Sequence, residues 1–215
     1  IDMLNNIQAI RSHETTEKMN VLSVACGPAY ETQDILKTPE DCQKYHFFLL
    51  DQDQKALTEA AEIISKKENE LKTKISTTIL NDSVRTMLAL SRLKKKWEVT
   101  KFPFIYSLGL FDYLTPPVAK AVLGNLFQLL EPGGEMVVGN FHVSNPNKHY
   151  MEYWVDWVLY HRTEDDLLDM MTDISTAETK IIFEETGSQM FLHVKKIGDR
   201  PDKTTKYEES VRHKK

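Results

Sequence analysis

The sequence predicts an α/β protein: a doubly wound, mainly parallel seven-stranded sheet that ends in a C-terminal antiparallel hairpin. Three observations carry that prediction. Apolar runs of strand length alternate with segments of helical period from Val21 to Asn140, the pattern of repeated β-α units. The first run, Val21-Leu-Ser-Val-Ala-Cys-Gly-Pro-Ala29, ends in a tight glycine turn that opens a helix. The second, Phe47-Phe-Leu-Leu-Asp51, ends in an acid. Open parallel sheets present nucleotide sites in this way. Third, two late runs flank Thr186-Gly187-Ser188, a hairpin signal that adds an antiparallel strand to a parallel sheet.

The elements follow in order. Residues 21–25 form the first strand, and residues 29–37 a short helix closed by Thr38-Pro39. Residues 46–50 form the second strand. Asp53 then caps a helix whose buried side carries Ala56, Leu57, Ala60, Ala61, Ile63 and Ile64. Residues 74–80 alternate Ile and Thr and read as the third strand. Residues 84–93 have helical spacing at Val84, Met87, Leu88, Leu90 and Leu93. Residues 102–108 form the fourth strand. Thr115-Pro116 is an N-cap with proline at the first helical position, opening a helix to Leu130, and Glu131-Pro-Gly-Gly134 stops it before the fifth strand at 135–140. An aromatic-rich helix is expected over 147–160 and a second, capped at Thr163, to about Met171. Strands at 180–184 and 190–195 complete the sheet. The chain thus divides into an N-terminal helical segment at 1–20, a binding domain at 21–197 with a helical lid at about 147–172, and a polar tail at 198–215.

Composition narrows the function classes. The chain has 215 residues, 41% of them hydrophobic, enough for one full core. A formal charge of −5 argues against a broad nucleic-acid surface. Two cysteines make neither a disulfide framework nor a zinc site and suit a reducing cytoplasm, and the seven histidines have no metal-ligand spacing. No metal is expected. Residues 1–11 lack the apolar core of a secretion signal, and no run approaches a membrane span.

Two cofactor classes fit a glycine turn followed by an acid, NAD and S-adenosylmethionine (SAM). A dinucleotide fingerprint needs small residues at three positions so that the backbone approaches a pyrophosphate. Those positions read Ala25, Gly27 and Tyr30, and Pro28 removes one amide donor. SAM has no pyrophosphate and is served by a turn with one glycine, so SAM is expected. An NAD-binding oxidoreductase is the alternative that shares the first two motifs.

In this order and spacing the motifs resemble those of the class I SAM-dependent methyltransferases, from about Val21 to Lys195. Val21 to Ala29 is similar to that family's first motif and Asp51 to its ribose-binding acid. Asn81-Asp-Ser-Val84 resembles its adenine loop, Phe104 to Tyr113 its fourth-strand motif, and Leu130-Glu-Pro-Gly-Gly134 its turn before strand five. Ala25-Cys-Gly-Pro-Ala29, Ser107-Leu-Gly-Leu-Phe-Asp-Tyr-Leu114, Gly139-Asn-Phe141 and Tyr150-Met-Glu152 with Asp156-Trp157 and Arg162-Thr-Glu164 are similar to a bacterial subfamily linked to 3-hydroxy fatty acid methyl esters. The sequence departs from the family where it has Ser23 for an acid and Ala25 and Ala29 for glycines. A SAM-binding module without catalysis is the reading those departures favour.

The resemblance implies a cofactor site of Ala25, Cys26, Gly27, Asp51, Gln52, Asp82, Ser83, Val84, Ser107 and Leu108. Asp51 would accept from the ribose hydroxyls, and either Asp82 or Ser83 would meet the adenine amino group. Cys26 is read as a small residue beside the cofactor, although a helix N-terminus lowers a thiol pKa. Tyr106, Tyr113, Tyr150, Tyr153, Trp157 and Tyr160 are the candidate substrate contacts, the last four as part of a lid. Asp112, Tyr113, His142 and Arg162 are the candidate catalytic residues, acting by positioning, with Arg162 orienting a carboxylate. The expected reaction is methyl transfer to a small-molecule oxygen, a hydroxy fatty acid carboxylate being the named example. Nucleic acid is not an expected substrate, because Asn145-Pro146 lacks the aromatic residue of the motif used on flipped bases.

Overall fold

A computed structural model describes residues 17–88, 101–174 and 176–198. Seven strands form one sheet in the order β3-β2-β1-β4-β5-β7-β6. The strands are β1 (Met19–Val24), β2 (Tyr45–Asp51), β3 (Ser76–Asn81), β4 (Phe102–Ser107), β5 (Leu130–Phe141), β6 (Ala177–Phe183) and β7 (Gln189–Lys196). The first five are parallel, and β7 lies antiparallel between β5 and β6. Strand order reverses between β1 and β4, so the chain leaves a crevice at their carboxyl ends.

Both faces of the sheet are covered, and period-2 side-chain alternation divides the strands between two cores. Leu22, Val24, Phe48 and Leu50 enter one, against α5 (Pro116–Leu129). Val21, Phe47, Leu49 and Phe104 enter the other, with Ala60 and Ile64 of α3 (Gln54–Leu71). On α5 the residues Ala119, Val122, Leu123 and Leu126 are all fully buried, a helical stripe in which each large side chain contributes roughly 1.5–3 kcal/mol of burial free energy. Asp53 caps α3 by accepting from the Lys55 amide at 2.8 Å, as its sequence position predicts.

Three local expectations are corrected. Residues 29–37 are not one helix: α1 spans only Thr32–Ile35, and α2 runs over Pro39–Lys44. Thr38-Pro39 opens that second helix rather than closing the first, because Thr38 and Asp41 form a reciprocal capping box with proline in the first turn. Glu131 to Gly134 do not separate helix from strand. They lie within β5 as a bulge, between the Phe102–Leu130 and Phe104–Glu135 pairs, with Gly133 at φ 78°. The aromatic helix stops early. α6 covers Lys148–Trp154, Asp156 adopts a left-handed φ of 51°, and the Trp157 amide turns back to the Met151 carbonyl at 2.8 Å. Trp157 and Tyr160 are therefore on an irregular segment.

α4 (Val84–Met87) follows β3, and α7 (Glu164–Asp169) is opened by Thr163 in a capping box with Asp166. The remainder of the helix expected to Leu93, most of the segment at 1–20 and nearly all of the tail at 198–215 lie outside the described residues. Among the described residues no helix is long and apolar enough to cross a membrane.

Candidate functional site

The turn after β1 alternates its backbone. Ala25, Gly27 and Ala29 have φ of 53°, 53° and 54°, so every second residue is left-handed. Glycine adopts that region freely, whereas each alanine costs about 1–2 kcal/mol there. This accounts physically for the glycines that the resemblance places at 25 and 29. The turn is tied to β2 at two points. The Cys26 amide donates to the Leu50 carbonyl at 3.0 Å, and the Gly27 amide donates to Asp51 Oδ2 at 2.8 Å. A Cβ built on Gly27 meets nothing within 4 Å, so the turn faces open space.

Asp51 is the hinge of this arrangement. Its second oxygen, Oδ1, accepts from the Asp53 amide at 2.9 Å, and its backbone carbonyl accepts from the Asp82 amide at 3.0 Å. Each carboxylate oxygen retains a lone pair beyond the one amide it binds. Asp82 in turn organises the start of α4, accepting on Oδ1 from the Ser83 amide at 3.0 Å and from the Thr86 hydroxyl.

A cavity of about 760 Å³ opens beside these residues. Ala25, Asp51, Gln52, Asp82 and Ser83 line one part of it. Gly109, Leu110, Tyr113, Leu114 and Val118 supply a more apolar part from the loop after β4 and the start of α5. Leu50, Arg85 and Leu88 complete the lining, and Arg85 is the one cation among the described residues that line it. None of Arg85, Leu88, Leu110, Leu114 and Val118 is among the candidate site residues that the sequence suggests. Their common signal is position at the carboxyl edge of the sheet.

Ser107, Leu108, Cys26 and Tyr106 do not line the cavity. The Ser107 hydroxyl is buried and donates to the Val24 carbonyl at 2.9 Å, fastening β4 to β1. Leu108 is exposed, and its carbonyl accepts from Gln189 Nε2 at 3.2 Å. Val84 is the first residue of α4. Cys26 donates its thiol to the Gly27 carbonyl at 3.3 Å. Burial, followed by the nearby Asp51 and Glu31 carboxylates, pushes that thiol up to about 12 and keeps it protonated; the helix N-terminus expected at Cys26 is not there, since α1 opens at Thr32. Tyr106 is buried in the core on the other face, where its hydroxyl donates to Glu31 Oε1 at 2.6 Å.

Asp112 and Arg162 come together, but inside the protein. Asp112 is 2% exposed and accepts from the Phe141 amide at 2.7 Å. Burial raises its carboxyl to about 6, against the opposing pull of the Phe141 amide and Arg162. Arg162, 3% exposed, donates from Nη1 to the Phe111 carbonyl at 2.7 Å and Asn140 Oδ1 at 2.5 Å, and from Nη2 to the Leu114 carbonyl at 2.5 Å. Burial lowers its pKa. Asn140 completes the network by donating to the Phe141 and Tyr160 carbonyls, each at 2.9 Å. The network clamps the 3₁₀ turn Phe111–Tyr113 behind the cavity wall.

The aromatic segment splits into two groups. Tyr113 lines the cavity, and its hydroxyl accepts from Trp157 Nε1 at 2.9 Å. The Tyr160 amide donates to the Asp112 carbonyl at 2.7 Å, and its ring lies under the Arg162 guanidinium at 5.7 Å. Tyr150 and Tyr153 are exposed on α6, away from the cavity lining. His142 contacts Ser144 Oγ at 2.6 Å and Glu164 Oε2 at 3.1 Å, and does not line the cavity either.

No family model matches the sequence, and no curated protein matches it. Solved structures do. A SAM-dependent methyltransferase from Methanosarcina mazei superposes with a TM-score of 0.60 at 16% identity, over 88% of this chain and 98% of that one. Magnesium protoporphyrin IX methyltransferase from Synechocystis PCC 6803, with bound SAH, gives 0.60 at 14%, over 91% and 82%. An O-methyltransferase family protein from Burkholderia thailandensis gives 0.62 at 12%, over 93% of this chain and 56% of that one. What these likenesses share with the sheet, the turn and the crevice is architecture: the chain has the α/β methyltransferase-like fold, built on a seven-stranded mixed sheet.

Proposed function

We propose that the cavity binds SAM and that the protein transfers its methyl group to an oxygen of a small amphipathic carboxylic acid, of the hydroxy fatty acid class. The observation that carries this reading is Asp51. It ends β2, receives one backbone amide on each oxygen, and lines an open cavity beside a left-handed glycine turn. A carboxylate held that way is oriented to accept from two vicinal hydroxyls. Asp51 and Asp82 also make this part of the lining anionic, which suits a cationic sulfonium. The neighbours with solved structures include SAM-dependent methyltransferases, one with bound SAH.

When bound, SAM supplies an electrophilic methyl group. The residues of this chain contribute position and exclusion of water. Asp51 would hold the ribose, Gln52, Asp82 and Ser83 would flank the adenine, and Ala25 with the turn at Gly27 would face the methionine end. A carboxylate is ionised near neutral pH and needs no general base to attack. That agrees with the state of the polar side chains nearby: Asp112 and Arg162 are sealed, and His142 is engaged by Ser144 and Glu164. Leu110 and Leu114 favour an apolar chain on the acceptor, and Arg85 favours an anionic head. In-line placement then supplies most of the rate.

A non-catalytic SAM-binding module is the second reading, favoured by the two alanines held at left-handed φ in the turn. Incubation with SAM and a series of 3-hydroxy fatty acids, followed by mass spectrometry, separates the two. Methyl esters are expected. SAM binding with no ester from any acid of the series would favour the module, and binding of NAD in place of SAM would overturn both.

A further inference from the structure

The contact between Trp157 and Tyr113 has a direction. Indole Nε1 carries a hydrogen and no accepting lone pair. At 2.9 Å it must donate, so the Tyr113 oxygen is the acceptor. The phenolic hydrogen is left over, and among the described residues no group takes it. Tyr113 is 56% exposed and lines the cavity between Leu110 and Leu114.

Both partners are anchored. The Tyr113 amide donates to the Leu110 carbonyl at 3.0 Å, closing the 3₁₀ turn, and Arg162 holds the Phe111 carbonyl of that turn at 2.7 Å. The Trp157 amide returns to Met151, and its ring packs edge-on against Phe141, with centroids 6.3 Å apart and planes at 87°. A phenol that accepts a hydrogen bond is polarised towards donating a stronger one. What this pair offers at the cavity is therefore a fixed O–H donor.

We propose that Tyr113 donates its phenolic hydrogen to an oxygen of the methyl acceptor, with Trp157 as the positioning residue, so that the pair selects a carboxylate over an ammonium. This rests on the reading of the cavity as a methyl-transfer site. An ammonium has three donors and no acceptor, so it meets the phenol donor to donor. A carboxylate has lone pairs to spare, and one oxygen remains free to attack while the other accepts. The discrimination comes from matching donor to acceptor at a half-exposed hydroxyl, so it is moderate in size.

The test is calorimetric titration of the full chain with 3-hydroxydecanoate and with decylamine, each with and without SAH. Wild type, Tyr113→Phe, Trp157→Phe and the double variant are compared. Tyr113→Phe keeps the ring and is expected to weaken 3-hydroxydecanoate about tenfold, the size of a lost hydrogen bond to a charged group. Trp157→Phe is expected to weaken it about threefold in the wild-type background and not at all in Tyr113→Phe, because its effect passes through the phenol. Decylamine should be unchanged by either. The proposal is overturned if Tyr113→Phe binds 3-hydroxydecanoate like wild type, if both probes weaken equally, or if wild type binds the carboxylate in neither condition. Loss of the SAM reading registers separately, as absence of heat from SAH itself.

Discussion

Asp51 and Asp112 are two carboxylates at the same edge of one sheet, and each accepts a backbone amide from a neighbouring stretch of chain, at 2.8 Å and 2.7 Å. Their surroundings then diverge. Asp51 opens on a cavity with lone pairs to spare. Asp112 is sealed beneath a turn, raised to about 6 by burial, in a network whose guanidinium is committed to two carbonyls and an amide oxygen. An acid beside a crevice is thus available to a ligand only if the fold leaves it a face. In this protein the loop after β4 does the sealing, and the turn after β1 leaves the opening.

That contrast breaks most visibly at Arg162. Replacing it with Met removes the donors to Phe111, Leu114 and Asn140 and strips Asp112 of its cation. A loss of about 3–5 kcal/mol is expected in denaturant unfolding, and a loss under about 1 kcal/mol would show that the network is not structural. Asp112 itself gives a smaller, pH-dependent effect. Its carboxyl titrates at about 6 when folded and near 3.9 when unfolded, so the folded chain holds the extra proton between those values. Its contribution to stability is whole below about pH 4 and gone above about pH 6. The stability of wild type relative to Asp112→Asn should therefore fall by up to about 3 kcal/mol across that window. A flat difference would mean that the carboxyl is not raised.

The two regions were also unequally legible in the sequence. Local signals located the Asp51 side: an apolar run, a glycine turn, a second run ending in acid, and Asp53 as cap all lie in order along the chain. The inner strands of the sheet were visible for the same reason, as apolar runs of strand length buried on both faces. The Arg162 network was not legible, because its members come from the β4 loop, the end of β5 and the segment after α6, and nothing in the sequence says that these three meet. Arg162 next to an aromatic-rich stretch looked like a ligand for an anion, yet its fork is filled by main-chain carbonyls and Asn140. The helix over 147–160 failed at one residue. Hydrophobic spacing carries on past Asp156, but its left-handed φ ends α6. Thr38-Pro39 failed differently, since a Thr-Pro pair reads equally as a stop or a start, and only Asp41 three residues after Thr38 decides for the start.

The central claim is that the Asp51 side of the sheet edge is a SAM site. Calorimetric titration of wild type and Asp51→Ala with SAH, with NAD in parallel, tests it most directly. The account predicts micromolar binding of SAH to wild type, a loss of more than about tenfold in Asp51→Ala, and no response to NAD. Equal SAH affinity in the two proteins, or silence from wild type, would contradict it.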